Sequence, residues 1–375
     1  MKLAHVHADL PGDTNGGVAH QVHRLANALV RRGHDLTMVT FSAAPPDALY
    51  RVRTLDGGDG IRRSPVSRLV MAGVRFARQR YEEFDLVHFH GDNQFCFPGV
   101  PSVRTFYGSA LDELIHATSW RWRLAQLATY PLEIAGWFAA RRSVGISRAT
   151  VRSLPLLRQV VPCGVDLTLF APGERSPGPS ILFVGTLDGR KRGRILLDAF
   201  RAVVRPAVPE AQLWLVTDQE VSGDGVVWHG RPGLEALARL YGQAWVFCLP
   251  SSYEGFGIPY VEALAAGAAV VATPNAGALE ILQGGLCGRI APDDRVGETI
   301  VELLGAEDAR VELSRRGRTR AGDFAMEKIA ATYEAIYREL IAAGGTRVHG
   351  LRETGPSGPP DRAGAPSSGP DGLDT

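Results

Sequence analysis

Two carboxylates lie close together in the stretch Pro250–Gly267, which reads PSSYEGFGIPYVEALAAG. Glu254 and Glu262 are separated by a Gly-Phe-Gly turn and Pro259, and the apolar run Ala244–Leu249 precedes them. Because proline suits the first turn of a helix and glycine its end, this pattern predicts a strand, a glycine loop and a helix. The N–H groups at such a helix start can hold phosphate, while the acids can hold hydroxyl groups but would repel a bare anion. The stretch therefore favours a sugar nucleotide as ligand; the alternative is a solvated turn acid and a helix-dipole acid.

A second glycine-rich loop, Gly185–Gly193 (GTLDGRKRG), follows a predicted strand and opens a predicted helix. Its consecutive cations, Arg190, Lys191 and Arg192, oppose the helix dipole, which costs stability unless an anion is bound. The GxxxxGK[ST] spacing of a P-loop is absent. A solvated charge run is the alternative, but the position in the same half of the chain as Glu254 favours a diphosphate-binding loop.

A third glycine loop contains Gly16 and Gly17, between the short apolar strand Leu3–His7 and the amphipathic helix Val18–Arg32. With the following strand, Asp35–Thr40, this is a βαβ unit of a parallel sheet. The two glycines either approach a phosphate or an acceptor, or form an ordinary strand-to-helix turn. A nicotinamide cofactor is disfavoured, because the GxGxxG pattern and the acid about 20 residues further on are both missing.

Polar and aromatic side chains follow two more predicted strands. Phe84–Phe89 leads into His90, and Ser102–Phe106 leads into Tyr107. Loops at the carboxyl ends of parallel strands are where open α/β sheets bind ligands, so these residues are candidates for substrate contact. For His88 and His90 the alternative is an ordinary structural histidine.

The second half of the chain restarts the βα pattern after Ala171–Ser180, which is rich in Pro, Gly and Ser and is typical of a linker. The expected fold class is α/β, with two doubly wound Rossmann-like domains that face a central cleft. The predicted organisation is an acceptor-side domain at 1–172, a nucleotide-sugar-binding domain at 173–322, a helix within 323–345 that returns to the first domain, and a disordered tail at 346–375.

Composition excludes several classes of protein. The 375 residues carry 41 Lys and Arg against 40 Asp and Glu, so the net charge of +1 gives no sign of nucleic-acid binding. Four scattered cysteines without a CxxC pair indicate neither a disulfide framework nor a metal site. The N-terminal MKLAHVHADL has no signal-peptide pattern, and no apolar run reaches the about 20 residues of a membrane helix. These features predict a cytoplasmic protein.

The predicted helical region Leu111–Arg142 carries Trp120, Trp122 and Trp137 among several arginines. The pattern favours an ordinary packed helix pair, broken at Pro131. The alternative is peripheral contact with the cytoplasmic face of a membrane, because mixtures of Arg and Trp suit a membrane interface.

Taken together, these motifs resemble the retaining glycosyltransferases of family 4 (GT4, glycosyltransferase group 1), which have the GT-B fold. The segment from Glu254 to Glu262 matches that family's E-x7-E motif. The resemblance extends over about residues 1–340 and includes the GGV…LANALVRRGHDLTMVT opening, the VPCGVD turn and the HGRP…LARLYGQA segment. It implies transfer of a sugar from a nucleotide-diphosphate sugar to an acceptor hydroxyl, with retention at the anomeric carbon and without a metal or other cofactor.

The same resemblance implies roles for single residues. Glu262 would bind the ribose hydroxyls, Glu254 would lie beside the transferred sugar, and Lys191 would neutralise the leaving diphosphate. Glu254 and Lys191 are thus the expected catalytic residues. The backbone of Gly255, Phe256, Gly257 and Ile258 would bind diphosphate and sugar, and Gly16 and Gly17 would approach from the other domain.

Three positions depart from the family pattern. Thr186 stands where the family often has Arg, so Arg190 or Arg192 would have to substitute. Tyr107 replaces a histidine that often meets the transferred sugar, and we expect Tyr107 and His90 to contact the substrate. Cys163 replaces an asparagine in the turn between the domains.

Two other functions share this fold: a nucleotide-sugar epimerase and a non-catalytic sugar-nucleotide-binding protein. Cations placed at the leaving group argue against simple binding, and the chain shows no match to the catalytic acids of an epimerase. The nucleotide base, the sugar and the acceptor are left open by the sequence, with a glycan, a lipid-linked molecule or a small molecule as candidate acceptors.

Overall fold

A computed structural model of the chain describes residues 1–12, 17–56, 65–116 and 119–344. For residues 65–69 it describes the backbone only. Gly16 and the tail at 346–375, for which the sequence made predictions, lie outside the described residues.

The first half of the chain forms a parallel sheet with the strand order β3-β2-β1-β4-β5-β6. Its strands are β1 (Lys2–Val6), β2 (Asp35–Thr40), β3 (Arg51–Thr54), β4 (Leu86–Phe89), β5 (Ser102–Phe106) and β6 (Arg142–Gly145). In the register between β1 and β4, His5 lies opposite His88. The second half forms another parallel sheet, with the order β12-β11-β10-β7-β8-β9. Its strands are β7 (Ser180–Val184), β8 (Gln212–Val216), β9 (Val226–Trp228), β10 (Val246–Leu249), β11 (Ala269–Ala272) and β12 (Arg289–Ile290).

Helices connect the strands of both sheets. In the described residues they are α1 (Gly17–Arg31), α2 (Pro65–Ala77), α3 (Ala110–His116), α4 (Trp120–Ala139), α5 (Arg148–Ser153), α6 (Gly193–Ala199), α7 (Arg205–Ala207), α8 (Leu234–Gln243), α9 (Ile258–Ala265), α10 (Ala276–Ile281), α11 (Val296–Gly305), α12 (Glu307–Ala321) and α13 (Met326–Ala342). A π-helical segment, Phe200–Val204, joins α6 to α7. None of the helices described is long and apolar enough to cross a membrane.

Two parallel sheets, each flanked by helices, confirm the predicted α/β architecture with two Rossmann-like halves. One local expectation was wrong. The helix break expected at Pro131 is absent, because Pro131 lies inside the continuous helix α4. The carbonyl that loses its partner there belongs to the exposed Leu127, where water can take the place of the missing N–H.

The helix α13 leaves the second half of the chain and packs on the first. The Tyr337 hydroxyl lies 2.6 Å from Nδ1 of His88, and the Tyr333 hydroxyl lies 2.7 Å from Oγ1 of Thr105. A salt bridge joins Glu334 of the same helix to Arg32, the residue that directly follows α1. The last helix described therefore completes the core of the first sheet rather than that of the second.

Candidate functional site

Sheet topology brings the two predicted donor loops together. The loop 185–193 follows β7, the loop 250–257 follows β10, and these two strands are hydrogen-bonded neighbours. Because both strands run in the same direction, their carboxyl ends meet at one edge of the sheet. The cationic loop and the acidic loop therefore form one site, although about 60 residues separate them along the chain.

Glu254 is the centre of this site. Its Oε1 accepts a hydrogen bond from Lys191 Nζ at 2.6 Å and another from the Ser251 hydroxyl at 2.7 Å, while Arg190 Nη1 lies 3.1 Å from its Oε2. The side chains of Glu254 and Lys191 are only 6% and 17% exposed, whereas that of Arg190 is 43% exposed. Both predicted catalytic residues thus contact each other at the end of the same two strands.

The pKa values of this pair are set by burial and by each other. Burial alone would raise the pKa of Glu254, but the charges of Lys191 and Arg190 outweigh it and hold the pKa below its ordinary value. Burial lowers the pKa of the Lys191 ammonium, and the charge of Glu254 opposes that shift. The pairing therefore keeps Glu254 ionised and leaves Lys191 as a buried cation beside the loop where an anion would arrive.

The two arginines named as substitutes for Thr186 have different partners. Arg192 adopts a left-handed backbone conformation, and its Nε donates to the Pro250 carbonyl at 2.7 Å, while both terminal nitrogens lie on the Asp293 carboxylate at 2.7 and 2.9 Å. Arg190 instead reaches Glu254. The Thr186 side chain is exposed and donates to the carbonyl of Asp188, so it fixes its own loop.

The backbone from Gly255 to Ile258, which was predicted to bind diphosphate and sugar, leads into the start of α9. Gly257 has a φ of +100°, and a Cβ there would lie 2.5 Å from the Tyr260 ring, so this turn requires glycine. The Phe256 side chain is buried against Phe324, with ring centroids 5.5 Å apart, so Phe256 can offer a ligand only its backbone. In the first turn of α9, Pro259 has no N–H, and the N–H groups of Tyr260 and Val261 donate to the Gly257 carbonyl at 2.9 and 3.3 Å. The Ile258 N–H is therefore the helix-start donor without an acceptor inside the helix, at the end that favours an anion.

Glu262 lies one turn further along α9 and is buried. Its Oε1 accepts a hydrogen bond at 3.1 Å from Nη1 of Arg24, a residue of α1 in the first half of the chain. Burial raises the pKa of Glu262 above its ordinary value, and Arg24 partly offsets this effect. Gly17, at the start of α1, lies close to the start of α9, since a Cβ on Gly17 would be 3.3 Å from Cδ1 of Ile258.

Tyr107 faces the donor loop through its backbone. A Cβ on Gly255 would lie 3.5 Å from the Tyr107 carbonyl oxygen. The Tyr107 hydroxyl points elsewhere, to Nδ1 of His90 at 2.9 Å. The His90 side chain is buried, and its other nitrogen lies 3.0 Å from Nδ1 of His5, so its contact with substrate stays a prediction.

Ring nitrogens of three buried histidines, His5, His88 and His90, lie within 4.8 Å of one another, which is close enough for them to ligate one metal ion. Their ring nitrogens, however, are already hydrogen-bonded to each other and to hydroxyl groups of Tyr337, Thr105 and Tyr107. Burial holds the pKa of all three well below the ordinary value, to about 3 for His5. The group is therefore a neutral hydrogen-bonded network in the core of the first half.

Sequence reasoning missed two contacts across the cleft. Tyr253 stacks on His116 of α3 with ring centroids 4.7 Å apart, and its hydroxyl donates to Asp112 at 3.4 Å. Arg24 pairs with Glu262. A signal existed for Arg24, because it lies about two helical turns after Gly17 and thus on the same face of α1.

Two family models match the chain. The model described as Glycosyltransferase Family 4 matches residues 15–169, and the model described as Glycosyl transferases group 1 matches residues 178–305. The first contains most of the sheet formed by the N-terminal half. The second contains both the cationic loop and the E-x7-E segment.

Curated relatives match over different shares of their length. A phosphatidyl-myo-inositol mannosyltransferase of Mycobacterium tuberculosis is 27% identical over 377 residues, covering 90% of this chain and 96% of that protein. An MMP alpha-(1->4)-mannosyltransferase of Mycolicibacterium hassiacum is 37% identical over 202 residues, and this match covers 49% of this chain and 48% of that protein. The match to the second relative therefore spans about half of its length.

Solved structures share the fold. A sucrose-phosphate synthase of Thermosynechococcus elongatus superposes with a TM-score of 0.75 at 24% identity, covering 92% of this chain and all of that one. The Anabaena protein HepE, in complex with UDP-glucose, superposes with a TM-score of 0.69 at 16% identity, covering 91% of this chain and all of that one. These likenesses support the GT-B arrangement of the two sheets.

Proposed function

The chain belongs to the group 1, family 4 glycosyltransferases and is a hexosyltransferase, and we propose that it transfers its sugar with retention at the anomeric carbon and without a metal ion. The observation that carries this proposal is the contact of Lys191 and Arg190 with Glu254 at the start of α9. It places two cations, a helix N-terminus and a carboxylate within one small site. A nucleotide-diphosphate hexose presents the complementary groups, namely a diphosphate and sugar hydroxyls.

Each part of the donor has a partner in this proposal. Lys191 and Arg190 hold the diphosphate together with the backbone from Gly255 to Ile258. Glu262 accepts hydrogen bonds from the ribose hydroxyls, and Glu254 accepts them from the transferred sugar. The cations and the helix dipole then stabilise the negative charge that develops on the leaving group, which is the task a divalent ion performs in other enzymes.

The proposed chemistry is a same-face substitution. The acceptor oxygen forms a bond to the anomeric carbon on the face from which the diphosphate leaves, the bond to the diphosphate oxygen breaks, and that oxygen takes the acceptor proton. Glu254 is a poor candidate for a covalent nucleophile, because three donors already hold its carboxylate and lower its pKa. Lys191 would stay with the leaving diphosphate throughout.

A donor screen and product stereochemistry test this proposal. UDP-, GDP- and dTDP-sugars would be compared by thermal shift, with mannose first because several relatives are named mannosyltransferases. The donor found would be incubated with a polyol or lipid-linked acceptor in EDTA, and the anomeric configuration of the product would be read by NMR. We expect a retained configuration and full activity in EDTA. An inverted product, or activity that returns only with a divalent ion, contradicts the mechanism, and a product formed without acceptor favours an epimerase.

We also propose that the acceptor is presented at the cytoplasmic face of a membrane. Supporting this, the start of α4 exposes Trp120 (68%), Leu124 (56%) and Leu127 (59%), with the exposed Arg121 beside them. Apolar side chains next to a cation fit the boundary between acyl chains and anionic headgroups. The relative from Mycobacterium tuberculosis, which matches over 90% of this chain, is named for phosphatidyl-myo-inositol, a lipid.

Co-sedimentation with vesicles tests this surface. We expect the protein to pellet with vesicles that contain anionic lipid at low salt, and the double variant Trp120→Ala/Leu124→Ala to stay in solution. The variant Trp228→Ala is the control, since Trp228 is also exposed but lies on β9 of the other half. If the wild type and both variants pellet equally, or if none of them pellets, the start of α4 is not a membrane-binding surface.

A further inference from the structure

Arg24 and Glu262 join the two halves of the molecule at the carboxylate to which we assign the ribose. Arg24 lies on α1 and Glu262 on α9, and Nη1 of the arginine lies 3.1 Å from Oε1 of the glutamate. Their side chains are 11% and 9% exposed, so the contact is shielded from water. A shielded ion pair is screened little by salt and persists until another partner replaces it.

The two helices run side by side where this contact forms. Gly17 begins α1 next to Ile258, which begins α9. Gln21, one turn after Gly17, holds Gly164 of the turn between the halves by two hydrogen bonds, at 2.7 and 3.0 Å. The arginine is thus held beside α9 by the packing of its own helix, and it does not reach Glu262 by a chance surface rotamer.

Only one nitrogen of the Arg24 guanidinium, Nη1, is hydrogen-bonded to Glu262. An arginine commonly binds a carboxylate with two parallel hydrogen bonds, but Arg24 makes a single hydrogen bond to Glu262, and its buried Nε atom has no hydrogen-bond partner. Its guanidinium also lies over the Phe170 ring, 5.3 Å from the centroid. A single contact leaves the pair weaker than a bidentate one, and a ligand with two hydroxyl donors can compete with it.

We propose that Arg24 is a latch on the ribose site: it holds the Glu262 carboxylate until the two ribose hydroxyls of the donor replace it. This inference rests on the ribose role proposed above for Glu262. Replacement exchanges an ion pair between the halves for hydrogen bonds within one half, so donor entry loosens α1 from α9. The protein thereby couples occupation of the donor site to the position of the acceptor-side half.

A latch has a measurable cost in affinity. When only a fraction of the protein has the carboxylate free, the apparent affinity for the ligand falls by that fraction. The cost applies only to ligands that use Glu262, because a nucleotide without ribose hydroxyls has no donors for this carboxylate. The comparison of ribonucleotides with dideoxynucleotides therefore separates the latch from other effects of Arg24.

The test is calorimetric titration of the full chain with UDP and GDP and with their 2′,3′-dideoxy counterparts. Arg24→Met removes the charge but keeps an apolar stem over Phe170, and Arg24→Lys keeps a charge. Arg31→Met is the matched control, since Arg31 is exposed on the last turn of the same helix. Thermal unfolding of each variant establishes that it is folded before titration.

We expect Arg24→Met to bind the preferred ribonucleotide about tenfold tighter, with no change for its dideoxy form. The affinity of Arg24→Lys for the ribonucleotide should lie between those of the wild type and Arg24→Met. Arg31→Met should bind it with the affinity of the wild type. Weaker binding of both forms by Arg24→Met would mean that Arg24 contacts the phosphates, and unchanged or equally changed binding would mean a structural role; each result overturns the latch. If the wild type binds neither nucleotide, or binds without loss in Glu262→Gln, the ribose assignment itself fails.

Discussion

The ammonium of Lys191 lies 2.6 Å from Oε1 of Glu254, so the cation proposed for the diphosphate and the acid proposed for the sugar neutralise each other in the structure. Two buried charges of opposite sign are stable together, and removing one leaves the other uncompensated. A donor can separate them without that cost, since its diphosphate pairs with the lysine while its hydroxyls bind the glutamate. In the proposed mechanism, donor binding would therefore exchange this ion pair for the two contacts proposed with the donor.

Lys191→Met should abolish most of the transfer activity. The variant lacks the buried cation at the leaving group, and we expect kcat to fall about 100- to 1,000-fold, as for the loss of one preorganised donor. Initial rates at saturating donor measure this effect. Arg194→Met is the control, because Arg194 is an exposed partner of Asp188 in the same loop region. A decrease in stability with unchanged kcat would show that Lys191 only supports the fold.

Glu254→Gln should change nucleotide binding and transfer in opposite directions. The neutral amide no longer competes for Lys191 and Arg190, so we expect a nucleoside diphosphate to bind about tenfold tighter, or about 1.4 kcal/mol. Transfer should fall, since the amide holds the sugar hydroxyls less well than a carboxylate does. Titration with the diphosphate and transfer assays give the two readouts. Full activity of this variant would remove Glu254 from the mechanism.

Tyr107→Phe should affect stability more than donor use. The hydroxyl is bonded to His90 in the core, and its loss leaves a buried ring nitrogen unpaired, at a cost of about 1–3 kcal/mol in the free energy of unfolding. We expect KM for the donor to stay near the wild-type value. A large increase in KM with unchanged thermal stability would mean that the hydroxyl turns to the sugar when the donor binds.

The buried histidines should make the protein sensitive to acid. In the folded state burial lowers the pKa of His5 to about 3 and keeps the pKa of His88 and His90 well below the ordinary value. In the unfolded chain these rings take up protons below about pH 6.5, so the unfolded state binds more protons there and stability falls as the pH decreases. Above that pH the histidines contribute no pH dependence.

Urea unfolding between pH 8 and 4.5 measures this effect. Each of the three histidines should remove up to about 1.4 kcal/mol of stability per pH unit below pH 6. His88→Gln should reduce the slope by one such contribution. A flat profile in this range would contradict the neutral network.

The residues of the proposed donor half could be located along the chain from sequence, because their determinants are local. A strand, a glycine turn and a helix with proline in its first turn fix where Glu254 and Glu262 stand along the chain. The loop of Lys191 is recognised in the same way, by cations at a helix start. The membership of both loops in one sheet follows from the repeated βα pattern, since parallel strands align their carboxyl ends.

Side-chain direction could not be predicted, because it depends on partners far away in the chain. Arg190 and Arg192 are indistinguishable in sequence, yet Arg190 reaches Glu254, whereas Arg192 pairs with Asp293, 101 positions away. Likewise His90 stands at a strand end that is typical of ligand contact, and the network it shares with His5 and Tyr107 turns its ring into the core.

The sequence by itself determined the family, the α/β architecture and the positions of the two acids and the lysine, since each depends on short motifs and on hydrophobic periodicity. Only the tertiary structure decided that Lys191 meets Glu254, that Arg24 meets Glu262 across the two halves, and that His90 is enclosed. The physical reason is that a motif fixes the local backbone. Charge pairing and burial instead depend on which distant segments the packed sheets bring together.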